Sequence, residues 1–289
     1  MVRTNPDHVV EMSVPAGAAP MALHLVLSDD GLYVPALLRT PPRGTGPAPW
    51  PAVVCLHGGS GGQGIPYLLD EMLGQGMIYD RLLAEGYAVC VTEGRAEAEG
   101  AYGTPGAGTL DHHDVLAVFR HLQREPDIDP RRIAFFGVSH GGELQMKLVS
   151  EQGGGPAALV PAEPAAIEYL GLRYPGERVE AQLQFNADLA DEQIDLERAI
   201  DRIQRIPPSL PILVIGRDGD HLQGLFRKLH ELLVRMGRKS SWLSFDHPQH
   251  AYQFGPRGQD GRYGSDPVLT QTVDRVVAFL DDNLKGVTA

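Results

Sequence analysis

The sequence predicts an α/β domain, with a mostly parallel central sheet, helices on both faces and a small cap inserted over residues 161–206. Three observations carry this. Continuous apolar runs at 52–56, 133–136 and 211–215 suit strands buried on both faces, not the alternation of strands that face water. Stretches with a one-sided apolar stripe separate those runs, so strand and helix alternate along the chain. The runs at 52–56, 133–136 and 211–215 each end in a loop rich in glycine or polar residues.

The totals set bounds. With 289 residues, 43% of them hydrophobic, the chain can bury a sizeable core, and residues 1–289 read as one domain. A formal net charge of −12 argues against a nucleic acid or an anionic membrane as partner. Two cysteines, Cys55 and Cys90, each in an apolar run, exclude a disulfide framework and read as free buried thiols. No run of apolar residues is long enough for a transmembrane helix. Residues 14–27 follow two acidic residues, contain Pro15 and Pro20 and lead into an Asp-Asp-Gly turn, so they read as a strand and not as a secretion signal. The expected location is cytoplasmic.

In order along the chain, Met21–Leu27 and Leu32–Leu38 form a hairpin about Ser28-Asp29-Asp30-Gly31. After a Pro/Gly-rich loop, the 52–56 strand ends in His57-Gly58-Gly59-Ser60-Gly61-Gly62. That loop lacks the Lys-Ser/Thr of a phosphate loop and the spacing of a dinucleotide fingerprint, and no cofactor is expected. It is suited instead to offering backbone N–H groups to an oxyanion, from Gly59 or Ser60. A helix at 77–85 stops at Gly86, a strand covers 87–92, and an amphipathic helix covers 111–124. The neighbouring His112 and His113 on that helix project about 100° apart and are not read as metal ligands; no metal is expected.

The run 133–136 then turns into a helix through Gly137-Val138-Ser139-His140-Gly141. So short a turn must bend sharply, and it lifts the Ser139 hydroxyl above the sheet at the positive end of the helix. A strand at 157–160 follows, then the proposed cap, helical over 188–206. The stripe Leu189, Ile194, Leu196, Ile200 and Ile203 suits either a cap or ordinary core. A strand at 211–215, a helix at 224–236, a strand at 241–245 and a helix at 266–284 complete the chain.

A serine hydroxyl is a poor nucleophile until a base takes its proton, and the base must be oriented by an acid. Loops after successive parallel strands meet on one edge. Three of them offer Ser139, an aspartate at 218 or 220, and a histidine at 247 or 250. The order Ser, Asp, His is that of α/β-hydrolase sheets.

On these residues the chain resembles the α/β-hydrolases of the prolyl oligopeptidase-like, dienelactone hydrolase and acetyl xylan esterase group, from about residue 28 onward. The matching stretches are Pro51-Ala-Val-Val-Cys-Leu-His-Gly-Gly, Gly86-Tyr-Ala-Val with Arg95 and Tyr102-Gly103, Asp127-Ile-Asp-Pro-Arg-Arg-Ile-Ala into Gly-Val-Ser-His-Gly-Gly, Pro211-Ile-Leu-Val-Ile-Gly, and His250-Ala-Tyr. The resemblance implies Ser139 as nucleophile, His250 as base and Asp218 as acid, with Asp220 as the alternative acid. It also implies an oxyanion hole from the N–H groups of His140 and of Gly59 or Ser60. The spacing departs from the family by one residue, with two steps and not three from Gly216 to the acid. The implied activity is a serine hydrolase of small or medium soluble carboxylic esters, without metal or cofactor. A peptidase and a dienelactone hydrolase are the enzymatic alternatives, and a catalytically silent binding protein is the alternative outside catalysis. A homo-oligomer is possible on this reading. Tyr67, Tyr102, Tyr169 and Tyr252 are candidates to line the pocket.

Overall fold

The computed structural model describes residues 8–12, 19–42, 44–58, 65, 68, 69, 72, 77–95, 110–172, 190–254, 264 and 266–286. Among these, nine strands build one sheet: β1 (His8–Met12), β2 (Met21–Leu27), β3 (Tyr33–Arg39), β4 (Trp50–Leu56), β5 (Ala88–Thr92), β6 (Ile128–Val138), β7 (Ala158–Ala162), β8 (Ile212–Asp218) and β9 (Ser240–Asp246). Their order across the sheet is β1-β2-β3-β5-β4-β6-β7-β8-β9. The first three are antiparallel to one another and β3 is antiparallel to β5. From β5 to β9 all neighbours run parallel.

This order reverses at β4. The chain leaves β4 toward β5 on one side and returns from β5 to β6 on the other. Right-handed crossovers then put the two connecting helices on opposite faces. The packing agrees. On one face, α1 (Met77–Ala84) and α6 (Pro267–Leu280) meet Val53, Cys55, Phe136 and Val138. On the other, α2 (Asp111–Leu122), α3 (His140–Gln152), α4 (Leu196–Gln204) and α5 (Gln223–Arg235) meet Val54, Leu56 and Phe135. Alternation along each buried strand feeds both layers. It also separates the cysteines. Cys55 faces one layer and Cys90 the other, so the two do not form a disulfide, and burial pushes the Cys90 thiol up to about 12.

Several boundaries differ from the sequence reading, each for a local reason. The helix expected over 188–206 starts at Leu196, because Asp195 accepts a hydrogen bond from the Arg198 N–H at 3.1 Å and so caps it. A short 3-10 turn, Asp191–Gln193, precedes it. The buried Ala199 and Ile203 put α4 in the same apolar layer as α3 and α5, as core packing. The remainder of the expected cap includes residues 173–189, which lie outside the described residues. The last helix gives way after Leu280 to a single wide π turn, Asp281–Lys285. The edge strand β1, mostly exposed although Val9, Val10 and Met12 are apolar, has no periodic signal to announce it. The histidine pair of α2 also departs from expectation: both rings turn toward Glu151, His112 Nε2 at 2.6 Å and His113 Nε2 at 3.9 Å.

Beyond β5 the chain is pinned by charge. The Arg95 guanidinium, buried, donates to Asp114 from Nε at 2.9 Å and Nη2 at 2.6 Å, and to Asp30 from Nη1 at 2.5 Å. Asp114 is fully buried and Asp30 largely exposed. Removing a buried partner strands the other charge, whereas an exposed one is replaced by water. Asp114→Ala is therefore expected to cost about 3 kcal/mol of unfolding free energy, and Asp30→Ala less than about 1 kcal/mol. Urea denaturation of the two variants measures the contrast.

Candidate active site

Ser139 sits between β6 and α3 at φ 53°, ψ −114°, in a region that L-residues with a Cβ avoid. The surrounding backbone holds it there. Its N–H donates to the Ala162 carbonyl at 2.9 Å, and its own carbonyl accepts from Ala165 at 3.0 Å and Glu143 at 3.2 Å. Two glycines let neighbouring backbone come this close. A Cβ on Gly141 would lie 2.3 Å from the Leu56 carbonyl oxygen, and one on Gly58 would lie 2.8 Å from the Ser139 Cβ. The loop that leaves β4 thus abuts the serine, on the edge where the strand order reverses and where open α/β sheets bind ligands. His140 opens α3, so its N–H lies at the positive end of the helix. Gly59 and Ser60, named with it for the oxyanion hole, lie outside the described residues.

The expected acid and the observed partner of His250 differ. Asp218 is the last residue of β8, paired in register with Asp246, and its exposed side chain accepts hydrogen bonds from Ser244 Oγ at 2.6 Å and Gln223 Nε2 at 3.2 Å. It is still in the sheet, and its carboxylate is taken up by Ser244 and Gln223. Gly219, at φ +76°, swings the chain out of the strand, and Asp220 meets His250 Nδ1 at 3.1 Å. Asp220 is fully buried. It accepts the Leu222 N–H at 2.7 Å, and Arg217 from Nη2 at 2.5 Å and Nε at 3.0 Å.

A second carboxylate, which the sequence reading missed, shares the same nitrogen. Glu163, fully buried and the first residue past β7, has Oε2 2.6 Å from His250 Nδ1 and accepts the Ala251 N–H at 3.1 Å. Its signal was slight: an acidic residue directly after a wholly apolar strand, with no motif around it. Arg217, close to both carboxylates, was missed as well.

Burial alone would lower the pKa of His250, but the hydrogen bonds to Asp220 and Glu163 outweigh it and push it up to about 9. Burial would raise Asp220, yet His250, the Leu222 amide and Arg217 draw it down to about 2.

His247, the other candidate base, is turned elsewhere. Its Nε2 lies 3.2 Å from Asp266 and its ring stacks on Tyr252 at 4.7 Å. Two of the tyrosines considered for the pocket are core residues: Tyr169 bonds Ser150 at 2.7 Å and Tyr252 bonds Thr272 at 3.2 Å, both fully buried. Tyr67 and Tyr102 lie outside the described residues.

His250, Asp220 and Glu163 are close enough to ligate a single ion, as are His24, His121 and Glu125, and His112, His113 and Glu151. In the first group the Arg217 guanidinium already faces both carboxylates, 2.5 Å from Asp220 and 3.5 Å from Glu163, and opposes a second cation.

A strained serine at a strand–helix turn, on the reversing edge of a parallel sheet that also carries a carboxylate-bound histidine, marks an α/β-hydrolase. Residues 21–205 match the model of the X-Pro dipeptidyl-peptidase (S15) family, and the chain belongs to that family. It is 30% identical over 135 residues to a probable dipeptidyl-aminopeptidase B of Ajellomyces capsulatus, a match that covers 43% of this chain and 14% of that protein. The fold is shared with brefeldin A esterase, a bacterial homologue of human hormone-sensitive lipase (TM-score 0.63, 16% identity, 96% of this chain and 81% of that one). It is shared also with acetyl xylan esterase 1 of Thermoanaerobacterium sp. JW/SL YS485 (0.58, 14%, 96% and 88%). Dipeptidyl peptidase 4 of Porphyromonas gingivalis aligns over 92% of this chain but 36% of its own length (0.61, 19%).

The two aspartates separate by experiment. Asp218→Asn is expected to keep turnover within about twofold of the parent, and Asp220→Asn to lose at least about tenfold in kcat. Steady-state kinetics on any ester that the parent cleaves reports both.

Proposed function

We propose that this protein hydrolyses carboxylic esters with small or medium acyl and alcohol groups, through an acyl-enzyme on Ser139. The observation that carries the reading is a histidine whose Nδ1 is held by buried carboxylate, on the same sheet edge as the strained, glycine-flanked Ser139. With Nδ1 held, Nε2 is the nitrogen left to work as base.

In this mechanism His250 Nε2 takes the hydroxyl proton as Ser139 Oγ attacks the ester carbonyl. The oxyanion is met by the His140 N–H and by Gly59 or Ser60, and one such donor is typically worth about 3 kcal/mol. His250 then gives its proton to the departing alcohol. Water attacks the acyl-enzyme by the same route, with His250 again as base, and releases the acid. Asp220 fixes the tautomer of the ring and stabilises its protonated form.

The second reading is cleavage of an Xaa-Pro dipeptide from a peptide N-terminus, favoured by the family match. It requires an anionic group for the substrate ammonium. Among the described residues, Glu163 and Asp220 are occupied by His250 and Arg217, and Glu143 by the Tyr169 amide at 2.7 Å. The fold shared with brefeldin A esterase and acetyl xylan esterase 1 supports placing esters first.

Two measurements test the proposal. Turnover of p-nitrophenyl acetate and butyrate should exceed that of an Xaa-Pro p-nitroanilide; the reverse order installs the peptidase reading. Ser139→Ala should abolish both turnover and labelling by a fluorophosphonate probe. The pH profile follows from His250. It acts as base only when neutral, and its pKa lies at about 9, so kcat/KM should climb with pH and level off near pH 9. An acid limb ending near the ordinary histidine value of about 6.5 contradicts it.

A further inference from the structure

We infer that Glu163 is a second acid of the site, a positioning residue that shares His250 Nδ1 with Asp220 and keeps the imidazole oriented and charge-balanced when it carries the proton. The inference rests on the reading of His250 as base given above.

The first ground is where Glu163 spends its oxygens. Oε1 accepts from Gln253 Nε2 at 2.8 Å; Oε2 accepts from the Ala251 N–H at 3.1 Å and lies 2.6 Å from His250 Nδ1. All three partners fall within four residues of one loop, and Ala251 takes φ 60° to present its amide. A clamp for that loop needs only the amide and Gln253. The third contact, to the base itself, goes beyond what a clamp requires.

The second ground is strain and burial accepted together. Glu163 sits at φ 46° with no exposed surface, and its own N–H donates to the Ile215 carbonyl at 2.6 Å. A non-glycine residue in that conformation and a carboxylate out of water each carry a cost, and they persist where the surroundings over-determine them.

The third ground is charge. Arg217 faces both acids, with Nη2 2.5 Å from Asp220 and Nε 3.5 Å from Glu163. Asp220 and Arg217 alone cancel, and a proton on His250 would leave the cluster positive. With Glu163 included, the cluster is negative while His250 is neutral and balanced when His250 is imidazolium. Glu163 therefore matches the charge that appears during proton transfer. Of the other ionisable groups nearby among the described residues, His221 touches the cluster itself, its Nδ1 3.2 Å from Asp220 Oδ1, while His247 pairs with Asp266 and Asp218 binds Ser244 and Gln223.

The experiment combines Glu163→Gln, Asp220→Asn and their double variant in the full chain, with two readouts. One is the NMR titration of the His250 ring, assigned by its loss in His250→Asn. The other is the pH profile of kcat/KM. Glu163→Gln keeps the shape and an acceptor for the Ala251 amide but loses the charge. Expected is a fall in the His250 titration, with the acid limb moving down by about one pH unit, and a kcat lower by about 10- to 100-fold. Asp220→Asn should retain a His250 titration above about 6.5, because Glu163 still faces Nδ1, while the double variant loses at least about 10³-fold in kcat. A Glu163→Gln protein with parental kcat, limb and titration overturns the inference and leaves Glu163 a loop clamp. If that variant does not fold, Asp220→Asn decides alone: a His250 titration that drops to about 6.5 or below overturns it too. Activity remaining in Ser139→Ala removes the nucleophile reading instead, and the titration result stands apart from it.

Discussion

Ser139 can hold its strained backbone only because the chain passing beside it has no side chain in the way. The carbonyl of Leu56 occupies the space a Cβ on Gly141 would need, and Ser139 itself occupies the space a Cβ on Gly58 would need. Conformations of this kind cost on the order of 1–3 kcal/mol and survive where neighbouring structure enforces them. Here the enforcement is topological. Strand order reverses at β4, which makes β4 and β6 neighbours although β5 lies between them in sequence. Their parallel register brings Leu56 level with Gly137, so both strands end together and their exits collide at the serine.

The body of the domain and its reactive edge are stabilised by different physics. Between sheet and helices the contacts are apolar, in two layers fed by alternate residues of the same strands. Along the C-terminal edge they are polar and desolvated: the ion pairs Arg95 with Asp114 and Arg217 with Asp220, and His57 against Glu93 at 3.2 Å. Buried ion pairs add little net stability over apolar packing, since desolvation offsets most of the attraction. Their value is directional. Arg95 with Asp114 and His57 with Glu93 tie segments distant in sequence, while Arg217 with Asp220 braces a single turn; a site that must present charges in fixed places gains from groups that need no reorganisation during reaction.

What the sequence made legible follows from which signals are local. The sheet, its parallel half and the helix order are written in runs and stripes, and boundaries moved by a few residues where a side chain intervened, as Asp195 does at the start of α4. The turn at Ser139 is written in five consecutive residues. His250 was reached through the His-Ala-Tyr match, and the structure sets its Nδ1 against acid. The acid itself turned on two residues of strand length that no periodicity encodes. Glu163 was illegible for a different reason: it acts across 87 residues of sequence on a loop whose path no pattern gives.

The choice between residues 218 and 220 has a geometric root. While β8 stays in register with β9, side chains alternate across the sheet and cannot reach past its edge, and at 218 the register still holds, against Asp246. A carboxylate can turn toward the neighbouring loop only after the chain leaves the pleat, and Gly219 makes that departure. At the end of β7 the same problem is solved without glycine, by Glu163 taking a positive φ directly after the last strand residue. Two adjacent strands thus release an acid toward one imidazole by the same kind of backbone excursion, one at a glycine and one under strain. That the strained solution is kept where a neutral loop residue would fold more easily ties the conformation at 163 to the chemistry of His250 more closely than to the stability of the sheet.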